Sequence, residues 1–269
     1  MPDLRITLIQ TFVHWENIPE NLRLFEGIIR PLKDATDLIV IPEMFSTGFS
    51  MKPAEFAEEM SGNAVEWMKR MANEVNAVIT GSLIIKDDGK YYNRLIWMRP
   101  DGTHEIYDKR HLFRMGDEHN YYAAGSKRLI VSMKEWKICP LVCYDLRFPV
   151  WCRNGNQLAG GRRQEAGRLY DVLIFVANWP ERRSFAWKHL LQARTIENQS
   201  YVIGVNRIGD DGNGVYHSGD SSLIDPLGEV IFTQADQPFI KTFVITKERL
   251  VYVRSKMPFL QDGDEFEVM

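Results

Sequence analysis

Hydrophobic residues along this chain fall into short apolar runs, separated by longer stretches in which they recur with a helical period. The runs are rich in β-branched residues and have the length of buried strands. They lie at residues 6–10, 38–41, 77–85, 95–99, 137–142, 172–177, 201–206, 221–224, 229–232 and 242–245. The pattern therefore predicts a protein rich in β-structure, with helices between some of the strands.

Three stretches between the apolar runs predict amphipathic helices. Residues 21–32 place their large apolar side chains on one stripe. Residues 63–75 begin with Asn63, and residues 185–198 follow Ser184; both residue types are favourable N-caps. We therefore expect helices that begin close to these two polar residues.

Strands that alternate with helices in the first half of the chain indicate a layered α/β architecture. The runs at 77–85 and 95–99 are joined across the sequence DDGK at 87–90, which is typical of an antiparallel hairpin. We expect a mixed sheet covered by helices on one face rather than a purely parallel sheet. Nothing along the chain resembles a linker, and residues 1–269 are predicted to form a single domain.

Charge and cysteine content narrow the class of protein. A net charge of −3 and a pI near 6.1 argue against a generally basic nucleic-acid binder. Cys139, Cys143 and Cys152 include no CxxC pair, so neither a secreted disulfide framework nor a cysteine zinc site is expected. The N-terminus lacks the apolar segment of a signal peptide, and no apolar run approaches the ~20 residues of a membrane span. We expect a cytoplasmic protein with reduced thiols.

Three segments each place a reactive side chain just after an apolar strand, where α/β sheets tend to build their sites. These side chains are Glu43, Lys109 and Cys143. Each also has an ordinary interpretation: Glu43 as a turn cap, Lys109 as solvated surface, and Cys143 as a small buried hydrophobe. Buried filler is the default role for Cys139 and Cys152.

Taken together, the three segments resemble the nitrilase superfamily of carbon–nitrogen hydrolases, which carries a Glu–Lys–Cys triad in this chain order. The matching segments are PEMFSTGF at 42–49, YDKRHLF at 107–113 and CYDLRFP at 143–149, with further likeness in VANWP at 176–180, RTIENQ at 194–199 and GDSSLIDPLGE at 219–229. The resemblance covers nearly the whole chain. It implies an α/β fold, the four-layer-forming α–β–β–α sandwich of the nitrilase type, and a homodimer or higher homo-oligomer.

The resemblance also implies roles for individual residues. Cys143 would be the nucleophile, Glu43 the base that takes and returns its proton, and Lys109 a partner of the oxyanion. The backbone N–H of Tyr144 would be a second oxyanion donor. Glu118 falls where the family has a second glutamate, and its alternative interpretation is a surface charge. We also expect the charge of Lys109 to lower the pKa of the thiol.

A histidine base is the chemical competitor of Glu43. His111 and His119 flank the Lys–Glu region, but no histidine can be paired with Cys143 from the sequence alone. The spacing of these two histidines does not match helical metal ligation, so no metal site is expected. No cofactor is expected either.

Within the family, the details of three motifs look like the omega-amidase group, which acts on the terminal amide of 2-oxo acids such as 2-oxoglutaramate or 2-oxosuccinamate. Such a substrate is anionic at the end far from the amide, and a guanidinium can bind both oxygens of a carboxylate. Arg147 is the leading candidate, with a structural pair to Asp145 as its alternative. Trp179 and Arg183 are weaker candidates for the pocket wall, and Phe49 suits either the pocket or an aromatic core.

The expected partner is therefore a small amide, and neither nucleic acid nor a membrane is expected to bind. An N-carbamoyl amino acid amidohydrolase or a nitrilase on the same fold is the alternative among enzymes, and a catalytically silent binding or scaffold protein is the alternative outside them.

The sequence departs from the family in the polar, Gly- and Arg-rich segment 154–167, which we interpret as a mobile surface loop near the active-site rim. A short helix within it is the other interpretation.

Overall fold

The computed structural model describes residues 2–155, 158–159, 162–163 and 169–264, with the backbone alone at 158–159 and 162–163. The strands are β1 (Leu4–Gln10), β2 (Leu38–Val40), β3 (Val78–Asp87), β4 (Lys90–Met98), β5 (His104–Asp108), β6 (Val131–Met133), β7 (Trp136–Val142), β8 (Leu158–Ala159), β9 (Arg162–Arg163), β10 (Val172–Ala177), β11 (Tyr201–Asn206), β12 (Ile208–Asp210), β13 (Tyr216–Ile224), β14 (Val230–Ala235) and β15 (Phe239–Ile245). The helices are α1 (Ile18–Ile29), α2 (Pro53–Phe56), α3 (Asn63–Val75), α4 (Glu118–Tyr121), α5 (Pro149–Cys152), α6 (Ser184–Asn198) and α7 (Lys247–Lys256). Short 3-10 helices lie at Arg30–Leu32, Arg114–Gly116, Cys143–Arg147, Glu181–Arg183 and Phe259–Asp262.

Two mixed sheets carry the fold. The first sheet has the order β15-β1-β2-β3-β4-β5, with β1, β2 and β3 parallel and the other pairs antiparallel. The second sheet has the order β12-β13-β11-β10-β7-β6, with β7, β10 and β11 parallel, and β14 also pairs with β13. The prediction of a mixed α/β fold is confirmed, although the strands divide between two sheets rather than one.

Successive side chains along the strands of the first sheet point alternately into two different cores, and this explains the layered arrangement of sheets and helices. In β4, Leu95 and Trp97 belong to the core that the two sheets share, whereas Ile96 and Met98 belong to a second core with α1 and α3. Successive side chains of a strand point to opposite faces, so a strand that is apolar throughout has to be covered on both sides. Helix α6 packs against the second sheet, and the layers run helix, sheet, sheet, helix.

Close packing of α6 against the second sheet depends on a glycine. A Cβ at Gly204 in β11 would lie 2.6 Å from Leu191 and 2.7 Å from Trp187, both of which belong to α6. Those separations are far below van der Waals contact, so any larger residue would push the helix away from the sheet. The close approach therefore explains a glycine in the middle of an otherwise β-branched strand.

The predicted hairpin is confirmed, whereas the two predicted helix N-caps are each displaced by one residue. Strands β3 and β4 form the expected hairpin, with Asp88 and Gly89 both at positive φ in the two-residue turn. Asn63 and Ser184 are the first helical residues of α3 and α6 rather than their N-caps. The carboxylate of Glu58 instead accepts a hydrogen bond from the N–H of Ala64 in the first turn of α3, at 2.8 Å.

Most of the segment 154–167 lies outside the described residues, so the loop prediction remains a prediction there. Within it, β8 and β9 pair as a two-stranded antiparallel ladder. Among the helices that are described, none combines the length and the apolar character that a membrane crossing requires.

Candidate active site

The predicted catalytic residues meet where strands of both sheets end. Glu43 follows β2 of the first sheet, Lys109 follows β5 of the same sheet, and Cys143 follows β7 of the second sheet. All three side chains are buried, and those of Lys109 and Cys143 line the same cavity. The structure therefore brings the three residues together, while their roles in catalysis remain predictions.

Lys109 lies between two carboxylates. Its Nζ is 2.9 Å from Glu43 Oε1 and 2.9 Å from Glu118 Oε2, and none of the three side chains is exposed. Glu118 Oε2 also accepts a hydrogen bond from the N–H of Phe113 at 2.6 Å, which fixes the carboxylate at the start of α4. Buried ions need partners of this kind because their desolvation is expensive. Glu118 is thus part of the buried cluster, and the surface-charge interpretation is wrong.

The two carboxylates and the ammonium change one another's protonation. Burial alone lowers the pKa of Lys109, but the charges of Glu118 and Glu43 outweigh that effect and raise it above its ordinary value. Burial raises the pKa of Glu118, Lys109 opposes the rise, and Glu43 adds to it. The ammonium therefore stays charged, and two acids share one counter-ion.

Asn93 is a site residue that the sequence analysis missed. Its Nδ2 donates to Glu43 Oε1 at 2.7 Å and to Glu118 Oε1 at 3.1 Å, so it bridges the two acids beside Lys109. Asn93 lies in β4 and is fully buried. A polar residue inside an apolar strand is the only signal that the sequence offers, and it does not say what the amide contacts.

Cys143 sits at a sharp turn from strand to helix. It follows β7 directly, has φ of +42°, and opens the 3-10 helix Cys143–Arg147. A non-glycine residue in this left-handed region is strained, and such strain is held by the surrounding structure. The first N–H groups of a helix have no partner within it, so the N–H of Tyr144 is available at the site.

The thiol of Cys143 is held in its protonated form. Burial raises its pKa well above the usual range, the negative charge of Glu43 adds to the rise, and Lys109 acts in the opposite direction. Lys109 lowers the pKa of the thiol as expected, but burial and the charge of Glu43 together raise that pKa by more. Attack by Cys143 therefore needs a base that removes the proton at the moment of reaction.

Two histidines, His111 and His217, are poorly placed for that task. The Nδ1 of His111 lies 2.7 Å from Asp145 Oδ1, and its ring stacks on Phe148 with the centroids 3.7 Å apart. His217 does line the cavity, but burial and the charge of Arg207 lower its pKa to about 4. Among the described residues, no group of three or more His, Cys, Asp or Glu side chains is arranged to hold a metal ion.

A cavity of about 240 Å3 opens above Cys143, and arginines line its wall. The guanidinium of Arg147 lies 4.9 Å from the ring of Trp179, and that of Arg183 lies 5.0 Å from the ring of Phe113. In the described part of the chain, neither arginine has an acidic side chain within ion-pair distance. Asp145 is occupied by other partners, so the alternative pairing with Arg147 does not form.

Two further predicted pocket residues have clear positions. Trp179 lines the cavity, and its Nε1 donates to the backbone oxygen of Arg183 at 2.8 Å, which ties the two pocket residues together. Phe49 also lines the cavity, and its ring centre is 5.2 Å from Lys109 Nζ. Phe49 therefore covers the ammonium and faces the cavity rather than filling the core between the sheets.

Comparison with known proteins places this geometry in a family. The model of the carbon–nitrogen hydrolase family matches residues 5–255. The omega-amidase YafV of Escherichia coli (strain K12) is 46% identical over 271 residues, which cover 100% of both chains. The 2-oxoglutaramate amidase of Bacillus subtilis (strain 168) is 30% identical over 96% of each chain.

A solved structure shows the same architecture. The crystal structure of a CN-hydrolase superfamily protein from Xanthomonas campestris, described with an arsenic adduct in its active site, superposes with a TM-score of 0.95. The two sequences are 43% identical, and the alignment covers 100% of both chains. The predicted nitrilase-type sandwich is thereby confirmed.

Proposed function

We propose, from the premise that this chain belongs to the carbon–nitrogen hydrolase family, that it hydrolyses the terminal amide of a small 2-oxo acid such as 2-oxoglutaramate or 2-oxosuccinamate. Family membership and full-length similarity to omega-amidases make the chain an enzyme that hydrolyses linear amides. The alternative of a catalytically silent scaffold is therefore set aside. A single-domain chain, a homo-oligomer, a cytoplasmic location and the absence of nucleic-acid and membrane partners stay predictions.

One observation carries the choice of an anionic amide: two guanidiniums without acidic partners in the described chain, Arg147 and Arg183, share a small cavity with Cys143. Burial and the charge of Arg182 lower the pKa of Arg183, so this cation gains from an anionic neighbour. The cavity volume is below the roughly 300–1,000 Å3 of sites for drug-sized ligands, which suits a short acid. The names of the two amidase relatives agree with that substrate class.

The first half of the proposed reaction forms a thioester. Glu43 takes the proton of the Cys143 thiol as the sulfur attacks the amide carbon, and the carbonyl oxygen becomes an oxyanion. The C–N bond then breaks, Glu43 returns the proton to the leaving nitrogen, and ammonia departs. Glu43 Oε1 is occupied by Asn93 and Lys109, whereas Oε2 accepts only the N–H of Asn178 among the described residues. Oε2 is therefore the oxygen with capacity left for the thiol proton.

The second half regenerates the enzyme. Water attacks the thioester carbon while Glu43 accepts one of its protons, and the C–S bond breaks as the acid product forms. The proton on Glu43 returns to the sulfur of Cys143, so the cycle consumes one amide and one water and releases one acid and one ammonia. A single carboxylate serves both halves of the reaction, because in each half Glu43 first accepts a proton and then gives it up.

Two hydrogen-bond donors that the site holds in place stabilise the negative charge of the oxyanion. Two of the three N–H bonds of the Lys109 ammonium are directed to Glu43 and Glu118, which leaves one for the oxyanion. The N–H of Tyr144 is the second donor. Removing one such donor typically costs about 3 kcal/mol of transition-state stabilisation.

Turnover of candidate amides tests the proposal directly. Purified protein is incubated with 2-oxoglutaramate, and ammonia and 2-oxoglutarate are measured; N-carbamoyl amino acids and a simple nitrile are assayed in parallel. We expect turnover of the oxo-acid amide and a covalent acyl adduct on Cys143. Preferred turnover of an N-carbamoyl amino acid would make the chain a carbamoylase, because that substrate also carries a carboxylate.

Cysteine variants separate the chemistry from the substrate. We expect Cys143→Ala to remove activity and the adduct while the fold is kept. Cys139→Ala is the matched control, because Cys139 is also buried but lies within β7 and does not line the cavity. Full activity of Cys143→Ala would show that the mechanism is wrong.

A further inference from the structure

Asp145 is a fully buried carboxylate with four hydrogen-bond donors around it. Its Oδ2 accepts from Tyr107 Oη at 2.7 Å and from the N–H of Val142 at 3.1 Å. Its Oδ1 accepts from the N–H of His111 at 3.0 Å and from the Nδ1 of His111 at 2.7 Å. A carboxylate can only accept, so Nδ1 of His111 carries the proton in this contact.

The positions of these donors relate two parts of the candidate site. Tyr107 precedes Lys109 by two residues and His111 follows it by two, so the carboxylate holds the chain on both sides of the ammonium. Val142 precedes Cys143, so the same carboxylate also holds the residue before the strained turn. Lys109 follows β5 of the first sheet, and Cys143 follows β7 of the second. Asp145, in the 3-10 helix after β7, therefore joins segments that leave the two sheets.

Supporting contacts make the arrangement rigid. Tyr107 Oη accepts from Trp151 Nε1 at 2.9 Å and from the N–H of Arg110 at 3.2 Å, so the phenol is fixed from both sides. Burial and the charge of Asp145 raise the pKa of Tyr107 well above its ordinary value, which keeps the phenol a donor. Asp145 is absent from the described lining of the cavity, so it acts through its neighbours.

We propose that Asp145 is a positioning residue that sets the placement of Lys109 relative to Cys143, with His111 as its second anchor. The inference rests on the proposed function, since it assumes that Lys109 and Cys143 act together. Displacement of a catalytic group by about 1 Å can cost on the order of 10²-fold in rate. The inference therefore predicts a large effect on kcat from residues that do not touch the substrate.

Asp145→Asn tests the carboxylate with the least change in shape. An amide has one oxygen, so its NH2 group must face either the two donors of His111 or the N–H of Val142, and both orientations set donor against donor. We expect kcat to fall on the order of 10²-fold. KM should change little, because Asp145 does not line the cavity, and alkylation of Cys143 by iodoacetamide should slow.

An isosteric pair at position 111 tests the same contact from the other side. The Nδ2 of an asparagine occupies the place of the histidine Nδ1, so His111→Asn keeps the donor to Asp145. His111→Asp has the same shape but sets one carboxylate against another, and both variants lose the stacking on Phe148 equally. We expect His111→Asn to keep most of the kcat and His111→Asp to lose activity as Asp145→Asn does.

Asp225→Asn is the matched control for general destabilisation. Asp225 is also buried and also accepts from two backbone N–H groups, those of Leu227 and Glu229, but it lies in the turn before β14. We expect this variant to lower the melting temperature and leave the kcat of folded protein unchanged. A loss of kcat in Asp225→Asn equal to that in Asp145→Asn would overturn the positioning role.

The outcomes separate this inference from the proposed function. Inactive Cys143→Ala together with full kcat and normal alkylation in Asp145→Asn rejects the inference alone. Full activity of Cys143→Ala rejects the proposed function and the inference with it. If Asp145→Asn does not fold, the pair at His111 decides: equal kcat in His111→Asn and His111→Asp overturns the inference.

Discussion

The backbone N–H of Asn178 donates to Glu43 Oε2 at 2.8 Å, across 135 positions of the chain. The contact is reciprocal, because the side-chain Nδ2 of Asn178 donates to the backbone oxygen of Glu43 at 2.6 Å. Asn178 follows β10 of the second sheet, and Glu43 follows β2 of the first. The carboxylate that is proposed as the base is therefore held in place by the opposite sheet.

Asn178→Ala should lower both folding stability and kcat, although the substitution removes only one side-chain amide. The variant keeps the N–H of residue 178 but loses the Nδ2 donor, so the carboxylate of Glu43 keeps its hydrogen bonds while its backbone oxygen loses the hydrogen bond from Nδ2. Leaving a buried acceptor unsatisfied costs about 1–3 kcal/mol of folding stability. We expect that loss in urea unfolding, and kcat reduced at least tenfold in steady-state kinetics at saturating substrate. Wild-type kcat in a destabilised Asn178→Ala would mean that the contact serves the fold alone.

Glu43→Gln should separate thiol ionisation from turnover. The negative charge of Glu43 raises the pKa of Cys143, so its removal lowers that pKa and increases the thiolate fraction at any given pH. Turnover should nevertheless fall by roughly 10²–10⁴-fold, because no group then carries the proton to ammonia. The thiolate is measured by its ultraviolet absorbance during a pH titration, with Glu43→Gln/Cys143→Ala as the blank. An unchanged or higher pKa in the variant would contradict the charge argument.

The strands and the three motif residues could be predicted because their signals are local. A buried strand reveals itself within a few residues, and Glu43, Lys109 and Cys143 each lie in a distinctive segment after a strand or between charges. Strand β5 was not among the predicted apolar runs because only two of its five residues, Ile106 and Tyr107, are apolar. The apolar pattern alone could not divide the strands into two sheets, since that depends on which distant strands pair; only the family resemblance implied the two-sheet sandwich.

Asn93 and Asp145 show why the rest of the site was missed. Asn93 contacts Glu43 across 50 positions, and Asp145 contacts Tyr107 across 38. Their residue types are common and their local sequence says nothing about distant partners. Residues that touch the substrate carry reactive groups, whereas residues that hold those groups in place are identified only by the contacts of the folded chain.

Arg147→Met should change which substrates are accepted. If the guanidinium binds the carboxylate of the substrate, its loss removes a charge-assisted hydrogen bond worth about 1.5–3 kcal/mol, roughly 10–150-fold in kcat/KM. A neutral amide with the same five-carbon chain as 2-oxoglutaramate, valeramide, should lose much less, because it makes no such bond in the wild type. The ratio of kcat/KM for the two substrates is the measurement, and Arg23→Met on the exposed face of α1 is the control. Equal losses for both substrates would assign Arg147 to the structure of the pocket.

Asp171→Asn should show a stability loss that depends on pH and leaves catalysis alone. The carboxylate of Asp171 accepts from the N–H of Lys137 at 3.0 Å and from Arg254 Nη1 at 2.8 Å, and it pairs with Lys247. Burial raises the pKa of Asp171, but these donors outweigh burial and lower it below the ordinary 3.8.

The sign of the pH dependence follows from that direction. A carboxyl whose folded pKa is lowered contributes stability above its unfolded pKa, and the contribution is lost as the pH falls through the folded value. Wild type should therefore exceed Asp171→Asn by about 3–5 kcal/mol at neutral pH, since the variant removes the carboxylate that pairs with the buried Lys247. The gap should narrow progressively in urea unfolding as the pH falls below about 4, while the kcat of folded protein is equal in both. A gap that stays constant from neutral to acid pH would show that packing around Asp171, rather than its charge, holds α7 against the second sheet.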